Sequence, residues 1–318
     1  MEKPVNPIKT VSCLGGGTIG ASWASYFLWR GLEVRIQDVT PEALQRAENL
    51  VGNNLRSLVG AGLLDQAAAD AALARVSYTT HIAEAVSGTG FIQESVFENY
   101  ETKWAVVREV DQFAPPDTIF ASSTSGLLIS EIQKNSSRPD RYITAHPFNP
   151  PHLIPLVELV KGKQTSDETV SRAYDFYKAI RKEPIIVKKE VPGHIANRIA
   201  MGLWRECIDL VMNDVCSVED VDRAVCFGPG LRLALMGPNM IYHLGGGPKG
   251  VSGLIDGIGP SIEMWWEDMA TWKKFPPGCK EVLEAGVKEE MDGRSFEEIA
   301  AWRDEKLLAL LKILKVLE

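Results

Sequence analysis

Three glycines constrain this chain more than any other feature. Gly15, Gly17 and Gly20 follow the apolar run Thr10–Leu14 and open the stretch Ile19–Leu28, which reads as a helix. A strand that turns into a helix through G-x-G-x-x-G needs backbone free of side chains at each of the three positions. Gly15 permits the tight turn, Gly17 lets a pyrophosphate approach the backbone, and Gly20 lets helix and strand pack closely. The helix start, with Thr18 and Ile19, then offers N–H groups and the positive end of the helix dipole to an anion. Asp38 closes the next strand-like run, Leu32–Gln37, eighteen residues after Gly20. A carboxylate there accepts both ribose hydroxyls of NAD and repels the 2′-phosphate of NADP. The expected cofactor is NAD. A flavin dinucleotide would call for a longer chain with further flavin-contacting segments.

The rest of the first half continues in the same style. Strands are predicted at Gly90–Gln93, Thr118–Ala121, Tyr142–Ala145, Leu156–Val160 and Pro184–Val187, with a helix from about Ser166 to Ile180. Pro41 to about Leu73, rich in Ala, Leu, Gln and Glu, reads as a helical hairpin turning near Gly60–Gly62. Alternating strands and helices imply a largely parallel sheet covered on both faces. After Val191-Pro192-Gly193 the character changes. Ile195, Ile199, Leu203 and Cys207 recur at the spacing of one helical face, and no convincing strand follows. Ser217 with Asp220 reads as a helix start, and Ser295 with Glu298 as a capping box. The expected architecture is α/β: a Rossmann-type doubly wound sheet over residues 1–191 and an all-α domain over residues 192–318. The final helix is apolar around most of its circumference, from Leu307 to Leu317. It should be buried on more than one side, as a plug in its own domain or in a subunit interface. A homodimer is the favoured expectation.

Composition excludes several classes. A formal charge of -8 and a pI near 5.3 argue against a broad nucleic-acid surface, which needs a basic stripe, while leaving room for a local anion pocket. The five cysteines form no C-x-x-C pair and no zinc-ligand spacing, so no metal is expected; they read as reduced, buried thiols. MEKPVNPIKT has no apolar leader core and no stretch approaches a membrane span, so the expected location is cytoplasmic.

Three polar stretches sit where the predicted strands end, which is where ligands bind in an open α/β sheet. They are Glu94 to Asn99, Ser122 to Ser125 and His146-Pro147-Phe148-Asn149-Pro150. A histidine followed by proline just after a strand serves no helix, although a tight turn could satisfy it. Glu158 lies on the following strand after a short Pro-rich connection, so its carboxylate can return beside the imidazole. Such a pair makes a general base, because the carboxylate stabilises the imidazolium formed on proton abstraction.

These motifs together resemble the 3-hydroxyacyl-CoA dehydrogenase family. The chain shares GGGTIG, the stretch Glu98 to Lys103, SSTSGL, HPFNP followed by LVELV, and PGHIANR, in the family's order and nearly end to end. The resemblance implies that His146 is the base and Glu158 its activating partner. It implies that Ser125 hydrogen-bonds the substrate oxygen and also borders the cofactor, and that Asn149 and the catalytic Asn197 help place substrate or transition state. Glu98 and Lys103 match positions on the nicotinamide side of the cofactor. The segments GPGLR (Gly228 to Arg232), Met236-Gly237-Pro238, IQESVFEN and LWREC are similar to the branch acting on free hydroxy acids, the L-carnitine and L-gulonate 3-dehydrogenases. That likeness makes a small 3-hydroxy acid the expected partner. Arg232 is then a candidate clamp for its carboxylate, or else a surface or capping arginine. Trp265, Trp266 and Trp272, with Phe148 and Tyr242, could cage a quaternary ammonium, or else Trp265 and Trp272 pack at helical spacing. Two alternatives stay open: a dehydrogenase that demands the CoA moiety, and a non-catalytic crystallin-like binder, against which the intact polar set argues.

Overall fold

The computed structural model describes residues 8–315. The first seven residues, on which the expectation of no leader rests, and Val316 and Leu317 of the apolar terminal stretch, lie outside that range. Residues up to Ala196, with the stretch from Leu311, form one compact unit, and Asn197–Leu310 form a second.

The first unit runs β1 (Thr10–Leu14), α1 (Thr18–Trp29), β2 (Glu33–Gln37), α2 (Pro41–Gly60), α3 (Gln66–Leu73), β3 (Val76–Thr79), α4 (Ile82–Val86), β4 (Phe91–Glu94) and α5 (Tyr100–Phe113). It continues with β5 (Ile119–Ser122), α6 (Ile129–Ile132), β6 (Tyr142–Pro147), β7 (Leu156–Val160), α7 (Asp167–Ala179) and β8 (Glu183–Val187). The strands form one sheet in the order β3-β2-β1-β4-β5-β6-β7-β8. All neighbours are parallel except β6 and β7. Order reverses between β1 and β4, the switch point at which an open sheet leaves a crevice beyond its strand ends.

Both faces of the sheet are covered. On one, Trp23 and Phe27 of α1 stack at 5.3 Å, and Phe91 stacks on Phe176 of α7 at 4.2 Å. A separate buried cluster gathers Leu14, Ile92, Val107, Phe120, Ile129 and Tyr142. Each such side chain contributes about 1.5–3 kcal/mol through removal from water. The strand at Val76–Thr79 was not anticipated. It is an edge strand paired only with β2, none of its residues is fully buried, and so it carries no apolar run to announce it.

The second unit is helical: α8 (Ala196–Met212, entered from the first unit), α9 (Val218–Phe227), α10 (Pro229–Leu233), α11 (Pro238–Gly245), α12 (Gly250–Asp268), α13 (Cys279–Glu290) and α14 (Phe296–Ile313). Ser217 caps α9 through the Asp220 amide. Ser295 and Glu298 exchange side-chain and backbone hydrogen bonds as the capping-box spacing predicts. The α8 face bearing Ile199 and Leu203 is exposed in the single chain, and Ile208 is the buried residue of that helix. In α14 only Leu308 and Leu311 are buried while Ile313 is 75% exposed, so the helix is not enclosed within one chain. The thiols are unpaired, but Cys226 is exposed rather than buried. Among the described residues, no helix is long and apolar enough to cross a membrane.

Candidate active site

The glycine turn is built as its spacing predicts. Gly15 has φ of +89°, and a Cβ there would lie 2.6 Å from the Ser95 carbonyl oxygen at the end of β4. A Cβ on Gly20 would lie 1.8 Å from the Gly15 carbonyl oxygen, so α1 closes on β1 only with glycine here. Gly17 differs: nothing lies within 4 Å of its Cβ position. It caps α1 without a side-chain hydrogen bond, leaving the N–H groups of the first turn, at Thr18 and Ile19, free for an anion. The turn borders a cleft of about 610 Å³ that Asp38, Ala43, Val96, Phe97 and Val106 also line. Asp38 Oδ2 accepts the Gly16 N–H at 2.8 Å, and its Oδ1 accepts the Val39 N–H at 2.7 Å. The open cradle at Gly17, the free helix terminus and the carboxylate at the end of β2 fit a dinucleotide diphosphate with an unmodified ribose.

His146 and Glu158 meet because β6 and β7 are antiparallel. The connection between them spans only residues 148–155, too short for the crossover a parallel pair requires. The register sets His146 directly opposite Glu158, and directly opposed residues share one face. The result is a hydrogen bond of 2.8 Å between His146 Nδ1 and Glu158 Oε2, with both side chains buried. The second oxygen, Oε1, accepts the N–H groups of Ile195 and Ala196 at 2.8 and 2.9 Å. Burial pushes the Glu158 carboxyl up, but the His146 contact and those two amides outweigh it, and its pKa falls below the usual glutamate value. Glu158 is therefore an anion at neutral pH. With Nδ1 engaged, Nε2 is the ring nitrogen left for a substrate hydroxyl.

Glu98 organises the loop that bears Ser125. Its Oε1 accepts the Thr124 hydroxyl at 2.5 Å and the Ser125 and Gly126 N–H groups at 2.9 and 3.2 Å. Burial raises its pKa, yet those donors and the Lys103 charge lower it further, so this carboxylate also stays ionised. Lys103 is buried between two acids, 2.7 Å from Glu94 and 3.3 Å from Glu98. Ser125 itself is exposed at the surface of the first unit. Phe148 stands edge-on to the His146 ring at 6.4 Å, and Asn149 follows it, exposed.

Three further residues escaped the sequence reading. Glu94 is fully buried and binds Lys103, the Ser122 hydroxyl and the Val96 N–H; its place in a polar stretch was the only signal. His194 is buried with its ring 5.1 Å from that of His146, and its Nε2 lies 3.2 Å from the Thr124 carbonyl oxygen. Burial first, with the nearby His146, holds its pKa below the usual imidazole value. Lys182 carried no signal at all.

The remaining candidates lie in the second unit. Asn197 is in the first turn of α8 and partly buried. Arg232 is exposed on α10. Trp265 and Trp266 are 55% and 65% exposed on α12. That helix ends at Asp268, so Trp272 lies beyond it and does not continue a helical spacing from Trp265. Instead Trp272 donates its indole N–H to Asp209 at 2.8 Å. Its ring joins Phe275 and, through Phe275, Trp204, with centroids 6.2 and 5.7 Å apart. Among the described residues no ring contact includes Trp265 or Trp266.

Residues 10–191 match the family of the 3-hydroxyacyl-CoA dehydrogenase NAD binding domain, and residues 193–287 that of the 3-hydroxyacyl-CoA dehydrogenase C-terminal domain. The chain belongs to the 3-hydroxyacyl-CoA dehydrogenase family. It is an NAD-dependent oxidoreductase with the fold of that family. An L-carnitine dehydrogenase from Bacillus cereus is 38% identical over 98% of this chain and 94% of its own length. Another from Pseudomonas aeruginosa is 37% identical over 96% and 94%. Among solved structures, 5-formyl-3-hydroxy-2-methylpyridine 4-carboxylic acid 5-dehydrogenase, described as an NAD+ dependent dismutase, aligns with a TM-score of 0.82 and 31% identity over 97% of this chain and 99% of that one. An (S)-3-hydroxybutyryl-CoA dehydrogenase from Ralstonia eutropha aligns at 0.65 and 30%, over 78% and 85%.

Proposed function

We propose that this enzyme oxidises the 3-hydroxyl of a small free hydroxy acid, L-carnitine above all, to the 3-keto acid. The observation that carries the reading is the His146–Glu158 pair: a buried imidazole whose Nδ1 is bound to an anionic carboxylate at 2.8 Å. That arrangement suits one task, taking a proton at Nε2 and holding the imidazolium that results. Near-full-length likeness to L-carnitine dehydrogenases supports the substrate.

In this reading the glycine turn (Gly15, Gly17, Gly20) and the N–H groups at Thr18 and Ile19 hold the NAD diphosphate. Asp38 takes the ribose hydroxyls, while Glu98 and Lys103 face the nicotinamide end. When bound, NAD supplies the hydride acceptor. His146 removes the hydroxyl proton, and the Ser125 hydroxyl together with protonated His146 then holds the developing carbonyl oxygen. Asn149 and Asn197 orient the substrate, Arg232 pairs with its carboxylate, and Phe148, Trp265 and Trp266 offer aromatic faces to the quaternary ammonium. The domain boundary follows the change of character at residues 191–192, and the chain works in the cytoplasm.

A homodimer is part of the proposal. Phe227, Leu235, Leu244, Ile255, Met264 and Trp266 of the second unit are each more than half exposed in the single chain. Exposed apolar side chains in that number support an interface, and sedimentation equilibrium returning one chain's mass would remove it.

The test of function is initial-rate NADH formation at alkaline pH with L-carnitine, L-gulonate, L-3-hydroxybutyrate and its CoA thioester. L-Carnitine should lead by about tenfold or more in kcat/KM, the scale on which a site built for one polar group discriminates. A lead for gulonate or hydroxybutyrate would keep the mechanism and dismiss the aromatic and Arg232 contacts. Turnover of the thioester alone would overturn the free-acid reading.

A further inference from the structure

Lys182 is a buried amine that the mechanism above does not use. It follows α7, where its N–H closes the helix on the Tyr177 carbonyl at 2.8 Å, and its side chain is 1% exposed. Among the described residues no carboxylate pairs with it. Burial, and after it the charge of Arg30, drives its pKa well below the usual lysine value. A buried amine without a counterion is costly unless its hydrogen bonds are satisfied, so the groups that satisfy them are constrained in place.

Its bonds run in two directions. Nζ donates to the carbonyl oxygens of Pro151 and Ile154, the latter at 2.8 Å. Both belong to the connection between β6, which carries His146, and β7, which carries Glu158. Nζ also sits 3.8 Å from the Tyr26 ring centroid and 4.9 Å from that of Trp23, both on α1. A second link joins the same two elements. The Ser22 hydroxyl of α1 accepts the His152 amide N–H at 2.9 Å and lies 2.8 Å from His152 Nδ1. Tyr26 completes the set, donating its hydroxyl to the Ile180 carbonyl at 2.7 Å, next to the turn that presents Lys182. Besides the buried Leu153 and the Glu183 N–H on the Pro155 carbonyl at 2.9 Å, the connection makes few backbone hydrogen bonds to the rest of the unit. Pro150, Pro151 and Pro155 have no N–H, and the Leu153 and Ile154 amides are spent on the Pro150 carbonyl.

We propose that Lys182, with Ser22 and His152, is a positioning latch that fixes the His146–Glu158 hairpin to α1, the helix whose N-terminus receives the cofactor. One rigid mount then carries both the base and the cradle, and their relative placement no longer depends on an eight-residue connection. The inference rests on His146 being the base, so the experiment separates the two ideas.

The first readout needs no cofactor: amide hydrogen exchange of the enzyme alone. Lys182→Met keeps the aliphatic bulk and removes the donors, so the Leu153 and Ile154 amides should exchange about tenfold faster or more. With NAD and substrate, kcat should fall about 10–100-fold, the scale of a displacement near 1 Å, while NAD affinity stays within about twofold. A destabilised protein with an intact latch would not show that split. Ser22→Ala cuts the second link with a much smaller change and should show the same pattern in weaker form, so it decides the matter if Lys182→Met does not fold. Unchanged exchange at 153–154 in the folded variants would refute the latch. Faster exchange with wild-type kcat would refute its positioning role. His146→Asn runs alongside: wild-type turnover there would sink the base assignment, and the exchange result would still judge the latch.

Discussion

Replacing Glu158 with Gln tests the candidate site at its centre, and the structure sets how large the effect should be. The Glu158 oxygens are not interchangeable. Oε1 holds two backbone N–H groups, from Ile195 and Ala196, and Oε2 holds His146 Nδ1. A glutamine must keep its carbonyl oxygen on the two amides, because its NH2 group there would face donors. The NH2 therefore points at Nδ1 and donates to it. That makes Nδ1 an acceptor and leaves the imidazole proton on Nε2, the nitrogen that should receive the substrate proton. The variant loses both the carboxylate that stabilises the imidazolium and the competent tautomer. General-base catalysis contributes about 10²–10⁴-fold. With both components gone the loss should fall in the upper half of that range, about 4–5 kcal/mol of barrier. Steady-state NADH formation reads kcat, and NAD titration by protein fluorescence reads the dissociation constant, which should hold because the glycine turn and Asp38 are untouched. A folded Glu158→Gln enzyme that keeps more than about a tenth of wild-type kcat would refute the pairing as the source of the base.

Asp38→Ala should raise the KM for NAD about 10–100-fold, the loss of charge-assisted hydrogen bonds worth about 1.5–3 kcal/mol, and should erase discrimination against NADP. Unchanged selectivity in paired assays with the two cofactors would remove Asp38 from ribose recognition. Asp111 makes a stability prediction. Burial raises its pKa, but the Tyr142 hydroxyl, Arg141, Ser136 and the Ser137 N–H lower it further, and the net shift is downward. A carboxylate with a depressed folded pKa stabilises the fold fully above its unfolded value, about 3.9, and loses that contribution as pH falls through the folded value. Asp111→Asn should therefore cost about 3 kcal/mol in urea unfolding at neutral pH. The gap between variant and wild type should narrow below about pH 4, and a gap independent of pH would refute the assignment.

Much of the site was legible because its parts are local. The glycine turn is written in six residues, and the structure explains each glycine by a clash or an open cradle at its Cβ. His146 and Glu158 stand on consecutive strands with a connection too short to cross over, so the antiparallel pairing of those strands follows from chain length, and the register then sets the two side chains opposite. The caps at Ser217 and Ser295 are local in the same sense. The edge strand Val76–Thr79 was hidden because solvent on one side removes the apolar pattern that announces a strand.

Sequence by itself determined the strand–turn–helix cradle, the dyad, the loop serine and the passage from a mixed to a helical unit, since each depends on residues close in the chain. Tertiary structure alone decided the partners of Glu94, His194 and Lys182. Glu94 meets Ser122 across a sheet neighbour, and Lys182 meets carbonyls 28 and 31 residues away and rings on a helix more than a hundred residues earlier. A buried charge is indistinguishable in sequence from a surface one. What separates them is the set of donors, carbonyls and rings that folding assembles around it, because only there does the cost of leaving water become a constraint on geometry.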